Sequence, residues 1–470
     1  MNEDVVAIVL AAGQGTRMKS ALPKVLHRIA GRTLAAWSVQ AAKDAGAKEC
    51  VVVVGHAREQ VEAELTTHFG SFVRFALQAE QKGTGHAVQC ALTELTDFEG
   101  RLLILYGDCP AVPPKTLRSL LEQSAGRALG IVTSTLEDPT GYGRILRTDG
   151  NVAAVREERD CSDEERRMKE VNPGIYAVAT TFLRTAIQRL QGDNAQGELY
   201  LTDVVAMAAE EAKVADVAGD MRLLQGVNDR WQLASCAEVL RARINESLAR
   251  AGAGLVDPST TSIDADCEVE PDATIEAGVH LRGRCVIRSG ARIDVGCVLE
   301  NVEVDAGAYL KPYTVAADSR IGPRAQVGPF AHLRPKSELG ADTKVGNFCE
   351  TKKTRLGEGS KVNHLAYVGD GVIGKGVNVG AGVIFCNYDG VQKHTTVLED
   401  GAFVGSDSQL VAPVTVGEGA YVASGSTITK DVPKDALAIA RHRKQENKEG
   451  YASKLRARFA AAKAAKKSSS

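Results

Sequence analysis

A chain of 470 residues with 44% apolar side chains is long enough for two or three domains, each with its own core. Its formal net charge of -2 gives no global attraction for nucleic acid. Ten cysteines without a CxxC pair or a His-rich partner cluster argue against structural zinc and for small buried thiols in a reducing compartment.

The start, Met1-Asn2-Glu3-Asp4, lacks a basic segment, and the apolar run 5–12 is far short of the roughly 20 residues a membrane span needs. A soluble, cytoplasmic protein without stable membrane association is expected. Residues 5–10 read as a buried strand, 33–45 as a helix, and 51–54, 73–77 and 102–106 as further strands. This alternation implies a mainly parallel, three-layer α/β sheet with ligands at the carboxyl ends of its strands, where the loops starting at Ala11, Gln78 and Gly107 fall.

The first loop, Ala11-Ala12-Gly13-Gln14-Gly15-Thr16-Arg17-Met18, offers two glycines that let backbone N–H groups approach phosphates, with Arg17 and then Lys24 as cations. It lacks the third glycine of a dinucleotide fingerprint and the Gly-Lys-Ser/Thr of a P-loop, and a plain glycine-rich turn fits the same residues. Tyr106-Gly107-Asp108 ends a strand on a carboxylate, enough for Mg²⁺ among phosphates and water, or equally a cap for the next turn. Residues 228–251, rich in Arg, Ala and Leu and followed by Gly252 and Gly254, read as a linker helix.

Beyond it the pattern changes to period six. Ile263, Val269, Ile275, Leu281, Ile287, Ile293 and Leu299 begin a ladder that resumes at Ile321, Val327, Leu333, Leu339 and Val345, at Leu356, Val362 and Val368, and at Leu398, Val404, Leu410, Val416, Val422 and Ile428. Chance produces such runs with a probability of roughly 0.00002 per register. The period implies a parallel β-helix in which one inward side chain per repeat stacks on its equivalents. Glycine follows the ladder residue at Gly322, Gly328, Gly346, Gly357 and Gly374, as a tight corner would favour.

Polar residues crowd the ladder in two places, at 334–353 with Arg334, Lys336, Lys344, Lys352 and Lys353, and at 363–393, where Cys386-Asn387-Tyr388-Asp389-Gly390 interrupts it. Such a cluster suits phosphates, although charge runs are usually solvated faces. His364 in Asn363-His364-Leu365 has the chemistry of a general base near neutral pH, with a surface imidazole as the alternative. The basic, Ala-rich tail 444–470 is expected to be a solvated extension without assigned function.

Together, Gly13-Gln14-Gly15-Thr16-Arg17-Met18, Pro23-Lys24, Gln78-Ala79-Glu80-Gln81, Gly83-Thr84-Gly85-His86, Tyr106-Gly107-Asp108, Gly141-Tyr142-Gly143-Arg144 and Gly226-Val227-Asn228 resemble the sugar-1-phosphate nucleotidyltransferases. With the hexapeptide ladder, nearly the whole chain resembles their bifunctional branch, which joins an N-acetylglucosamine-1-phosphate uridyltransferase to a glucosamine-1-phosphate acetyltransferase. The resemblance implies an α/β nucleotidyltransferase fold (Rossmann-like, mainly parallel sheet) followed by a left-handed parallel β-helix of hexapeptide repeats. It also implies domains at 1–228 and 253–443 joined by a helix at 229–252, Mg²⁺ as cofactor, and a homotrimer. The product, UDP-N-acetylglucosamine, supplies cell-wall and envelope precursors, made by acetylation with acetyl-CoA and then uridylyl transfer from UTP. A monofunctional nucleotidyltransferase with a structural β-helix, and a non-catalytic relative like the translation-factor exchange subunits, are the competing readings.

Residue by residue, the resemblance implies nucleotide contacts at Ala12, Gly13, Gly15, Lys24, Gln78, Gly83, Thr84 and Tyr106. It implies sugar-phosphate contacts at Gly143, Glu157, Asn172, Thr202 and Asn228, metal ligands at Asp108 and Asn228, and charge compensation by Arg17 and Lys24. Pro173 stands where the family more often has a hydroxyl residue, and removes a backbone donor. In the repeat domain it implies His364 as catalytic base with Glu350 orienting it. The sugar phosphate falls on Arg334, Lys352, Tyr367, Asn378, Asn387, Tyr388 and Lys393, with Asn387 holding the acceptor amine. Acetyl-CoA falls on Ala381, Ser406, Ser424 and Arg441.

Overall fold

The computed structural model describes residues 3–212, 214–441 and 457, so apart from Ala457 the basic tail lies outside the described residues. The described residues form two compact units, one within 3–286 together with 298–301, the other within 287–297 together with 302–441.

In the first unit the strands Val73–Leu77, Glu49–Val54, Val5–Leu10 and Arg101–Tyr106 lie side by side in parallel. Apart from the edge strand Val73–Leu77, their apolar runs are nearly unbroken because both faces of the sheet are covered. Ala7, Val9, Val52, Leu103 and Leu105 enter one core, while Val6, Ile8, Val51, Leu102 and Ile104 enter the other. The sheet is mixed beyond this half: Tyr176–Ala179 runs antiparallel to Arg101–Tyr106, and the hairpin Gly143–Thr148 with Asn151–Arg156 continues it. Leu10 is in register with Tyr106 and Val53, and Val54 with Leu77. The carboxyl ends are therefore level, and the loops after them share one edge.

The linker helix spans Arg230–Arg250, with the Asp229 carboxylate accepting from Gln232 N at 2.8 Å and Gly252 taking the left-handed φ of 106° just past its end. Buried Asn245 donates to the carbonyls of Pro258 and Thr261 at 2.8 and 2.9 Å, which ties the helix to the first coil.

In the second unit short strands stack into three parallel sheets. Along one of them Leu310, Val327, Val345, Val362, Val379, Val404 and Val422 follow one another in register. On another, Val304, Ile321, Leu339, Leu356, Ile373, Leu398 and Val416 do the same. Every residue of the sequence ladder is buried. Pairing of Ile373 with Leu398 leaves residues 387–395 as a loop inserted into one coil.

The ladder glycines have a different cause from the one expected. Of the five, only Gly328 has a positive φ, 95°. At Gly322, Gly346 and Gly357 an added Cβ would stand 2.6, 1.9 and 2.4 Å from a backbone oxygen of the next coil, so close coil-to-coil contact, not corner geometry, excludes a side chain. Replacing Gly346 by Ala is expected to destabilise the repeat unit by about 3 kcal/mol or more, read as a lower unfolding midpoint in urea. The left-handed corners fall instead at residues such as Asp318, Asp342 and Asp370, and at Tyr313, Phe330, Phe348 and Leu365. Three of these form an exposed stack, with ring centroids 5.3 and 5.6 Å apart.

Candidate functional site

Two cavities open on the loop edge of the first unit. One, of about 280 Å³, is lined by Ala12, Gly13, Lys24, Gln78, Gly83 and Thr84. The other, of about 360 Å³, is lined by Arg17, Gly143, Glu157, Asn172 and Asn228. Tyr106 and Asp108 line both, so the strand Arg101–Tyr106 delivers its carboxylate to the place where the two meet.

Local chemistry explains this placement. Gly15 takes φ 66°, and a Cβ there would stand 2.3 Å from Lys24 Cβ, so only glycine lets the loop close on Lys24. The Lys24 ammonium forms an ion pair with Asp108 Oδ2 and lies 3.3 Å from Asn228 Oδ1, while Arg17 Nη2 donates to the same Asn228 oxygen at 2.8 Å. Two protein oxygens thus already converge on one cation. That geometry fits a hard divalent ion completed by phosphate oxygens and water.

Thr84 Oγ1 accepts from Leu201 N at 3.0 Å, and its neighbour Thr202 donates to Glu157 Oε1 at 3.0 Å, linking the two cavities through one loop. Burial raises the pKa of Glu157 against the opposing Thr202 hydroxyl. Pro173 leaves the turn intact, because Asn172 Oδ1 accepts from Gly174 N at 2.9 Å and Asn172 Nδ2 donates to Tyr176 Oη at 2.6 Å. Gly174, at φ 82°, is pressed on the Tyr106 ring, where a Cβ would meet Cε2 at 1.9 Å. Burial holds the Tyr106 phenol well above its usual pKa, as a neutral group.

The repeat unit sorts its expected residues into two groups. His364 Nδ1 lies 2.9 Å from Asn347 Oδ1, one coil below. Above it a column of coil-to-coil bonds passes through the residues expected to contact acetyl-CoA: Gly382 N to His364 O, Asp407 N to Ala381 O, Gly425 N to Ser406 O, and Arg441 Nη1 to Ser424 O at 2.6 Å. The second group holds Arg334, Lys352, Tyr367, Asn387 and Lys393. Lys393, paired across the inserted loop with Tyr388, lowers the pKa of Lys352 by its ammonium, which marks a surplus of positive charge. Asn387 Nδ2 donates to Asp370 Oδ2 at 2.6 Å, leaving its Oδ1 as an acceptor, and the Tyr367 hydroxyl and Asn387 amide both press on Gly369, filling the place a Cβ would take. Asn378 is in register with Lys361, away from either group's bonds. Among the described residues no hydrogen bond or ion pair joins the two groups.

Glu350 does not reach His364. It holds Arg334 at 2.7 Å, because it is in register with Tyr367 on one sheet while Asn347 is in register with His364 on another. Asn347 and Asp370 were missed in the sequence, although each lies 17 residues, one coil, before the residue it holds. Gln81, whose Nε2 donates to Ala12 O at 2.8 Å, was quoted only as part of a motif.

Residues 7–212 match the MobA-like NTP transferase domain, and residues 395–430 match the bacterial transferase hexapeptide (six repeats). The Bifunctional protein GlmU of Sorangium cellulosum is 54% identical over 463 residues, covering 97% of this chain and 97% of that protein. Those of Trichlorobacter lovleyi and Geobacter sulfurreducens are 49% and 47% identical, over 96% and 97% of this chain and 98% and 99% of theirs.

The chain belongs to the GlmU family. Members are bifunctional, a nucleotidyltransferase and an acetyltransferase on one chain, which accounts for two separate clusters of polar residues on two architectures. The GlmU likeness runs through the linker helix and the inserted loop alike. No helix of the described residues is long and apolar enough to cross a membrane.

Proposed function

We propose that the chain makes UDP-N-acetylglucosamine in two steps: acetyl transfer from acetyl-CoA to the amine of glucosamine-1-phosphate by residues 253–443, then uridylyl transfer from UTP by residues 1–228. The helix between them acts as a linker. The observation that carries the second step is Asp108 standing where two cavities meet, beside the cations Lys24 and Arg17.

In the uridylyl site, UTP fills the cavity of Gln78 and Gly83, and the sugar phosphate fills that of Glu157 and Asn172. Asp108 and Asn228 would hold Mg²⁺, which when bound neutralises the triphosphate and orients its α-phosphorus. The Lys24 ammonium then turns from Asp108 to the phosphates, and Arg17 compensates charge on the leaving pyrophosphate. A sugar-phosphate oxygen attacks the α-phosphorus in line, the bond to pyrophosphate breaks, and no base is required because the nucleophile is already ionised. Glu157 and Asn172 hold the sugar by hydrogen bonds, and positioning carries most of the rate.

In the acetyl site, Asn347 Oδ1 accepts the Nδ1 proton of His364, so Nε2 presents its lone pair as base. It removes the proton from the amine as the nitrogen attacks the thioester carbonyl, and the coenzyme A thiolate leaves. Arg334, Lys352 and Lys393 take the phosphate, Asn387 Oδ1 accepts from the amine, and Glu350 acts through Arg334. Separation of the His364 column from the Asn387 group supports a cleft built between subunits of a homotrimer, and the exposed column of Tyr313, Phe330 and Phe348 offers an apolar surface for such packing. A cytoplasmic setting follows from the substrates.

The test is mass spectrometry of products formed from glucosamine-1-phosphate, acetyl-CoA, UTP and Mg²⁺. UDP-N-acetylglucosamine is the expected product. N-acetylglucosamine-1-phosphate alone would overturn the uridylyl assignment, and an unacetylated sugar phosphate would make the β-helix a scaffold.

A further inference from the structure

Gln78 is buried at the floor of the first cavity, and its amide nitrogen has two neighbours, Gly83 O at 3.1 Å and His86 Nδ1 at 3.2 Å. A backbone carbonyl can only accept, so the amide nitrogen and not its oxygen must face Gly83. The second amide hydrogen then goes to His86 Nδ1, which therefore carries a lone pair. The ring proton sits on Nε2, 3.8 Å from Cys90 Sγ one turn further along the helix Thr84–Thr93. With both hydrogens engaged, Gln78 has only Oε1 left for a ligand, and no hydrogen bond of the described residues reaches it.

We propose that His86 is a positioning residue for nucleobase selection. By accepting from the Gln78 amide it holds an acceptor, Oε1, toward the bound base, and so favours a pyrimidine with an N–H at ring position 3 over one with a lone pair there. Uracil meets Oε1 with a donor. Cytosine, of the same shape, brings acceptor against acceptor and leaves buried polar groups unpaired. This rests on the reading of the cavity as the UTP site. Neither the glycine-rich loop nor Lys24 distinguishes the two bases, since backbone amides and cations read phosphates.

The experiment compares kcat/KM for UTP, CTP and 5-methyl-UTP in the full chain and in the variants His86→Ala, His86→Phe and His86→Asn. Acetyl transfer and the melting temperature serve as controls for folding. In H86A and H86F the UTP/CTP ratio is expected to fall about tenfold as the amide is freed to turn. The UTP/5-methyl-UTP ratio should not move, because both bases present the same edge. H86N places its Oδ1 near the former Nδ1 position, and is expected to restore the UTP/CTP ratio to within about twofold.

A UTP/CTP ratio unchanged in H86A and H86F, or equal losses with all three nucleotides, would overturn the inference alone. Equal use of UTP and CTP by the unaltered chain would overturn both it and the base-pocket reading.

Discussion

Replacing His364 by Ala is expected to lower acetyl transfer by about 10²–10⁴-fold, the range for a lost general base, while uridylyl transfer from UTP stays at its original rate. The reason lies in the proton. Only the neutral glucosamine amine has a lone pair with which to attack, and it must lose a proton as the C–N bond forms; His364 Nε2 is free to take that proton because Nδ1 is bound to Asn347. Asn347→Ala keeps the imidazole but lets either tautomer form, so a loss of about tenfold is expected, within the range for a positioning hydrogen bond. Release of free thiol from acetyl-CoA reads both. Undiminished release in H364A would remove the histidine from the mechanism, and a loss in N347A as large as that in H364A would mean that the coil has been disturbed.

Asp108→Asn should abolish the other reaction by roughly 10²–10³-fold, as loss of one preorganised charge at a phosphoryl site does. The substitution keeps an oxygen in place but removes the charge that both Lys24 and a divalent cation require. It also leaves the Lys24 ammonium, only 13% exposed in its side chain, without its carboxylate. Pyrophosphate release measures the rate, and the rise in melting temperature on adding Mg²⁺ with UTP measures the site. Both should be lost in D108N, with acetyl transfer retained. Unchanged pyrophosphate release would refute the metal assignment.

The two architectures were legible in the sequence for different physical reasons. The ladder from Ile263 to Ile428 was readable because a β-helix coil buries side chains at fixed intervals, so the period survives in one dimension. The parallel strands Glu49–Val54 and Arg101–Tyr106 were readable because burial on both faces leaves an unbroken apolar run. The hairpin strands Gly143–Thr148 and Asn151–Arg156 gave no such signal, since exposed residues such as Arg147 and Thr148 break the apolar run. Most of the residues lining the first cavity were legible through short motifs that lie next to one strand end each.

What the sequence determined by itself is the pair of folds, the family, and the residue types available to each reaction, because these depend on local pattern and on side-chain chemistry. Which side chain holds which is a property of register and of loop closure, and only the tertiary structure decided it. Asn347 rather than Glu350 stands beside His364 because one coil of 17 residues brings them level on the same sheet. Asp370 and Asn387 each stand just past a strand end, which lets the Asp370 carboxylate hold the Asn387 amide. Gly346 is glycine because the chain of the next coil lies 1.9 Å from where its Cβ would be, a distance set by residues far along the sequence.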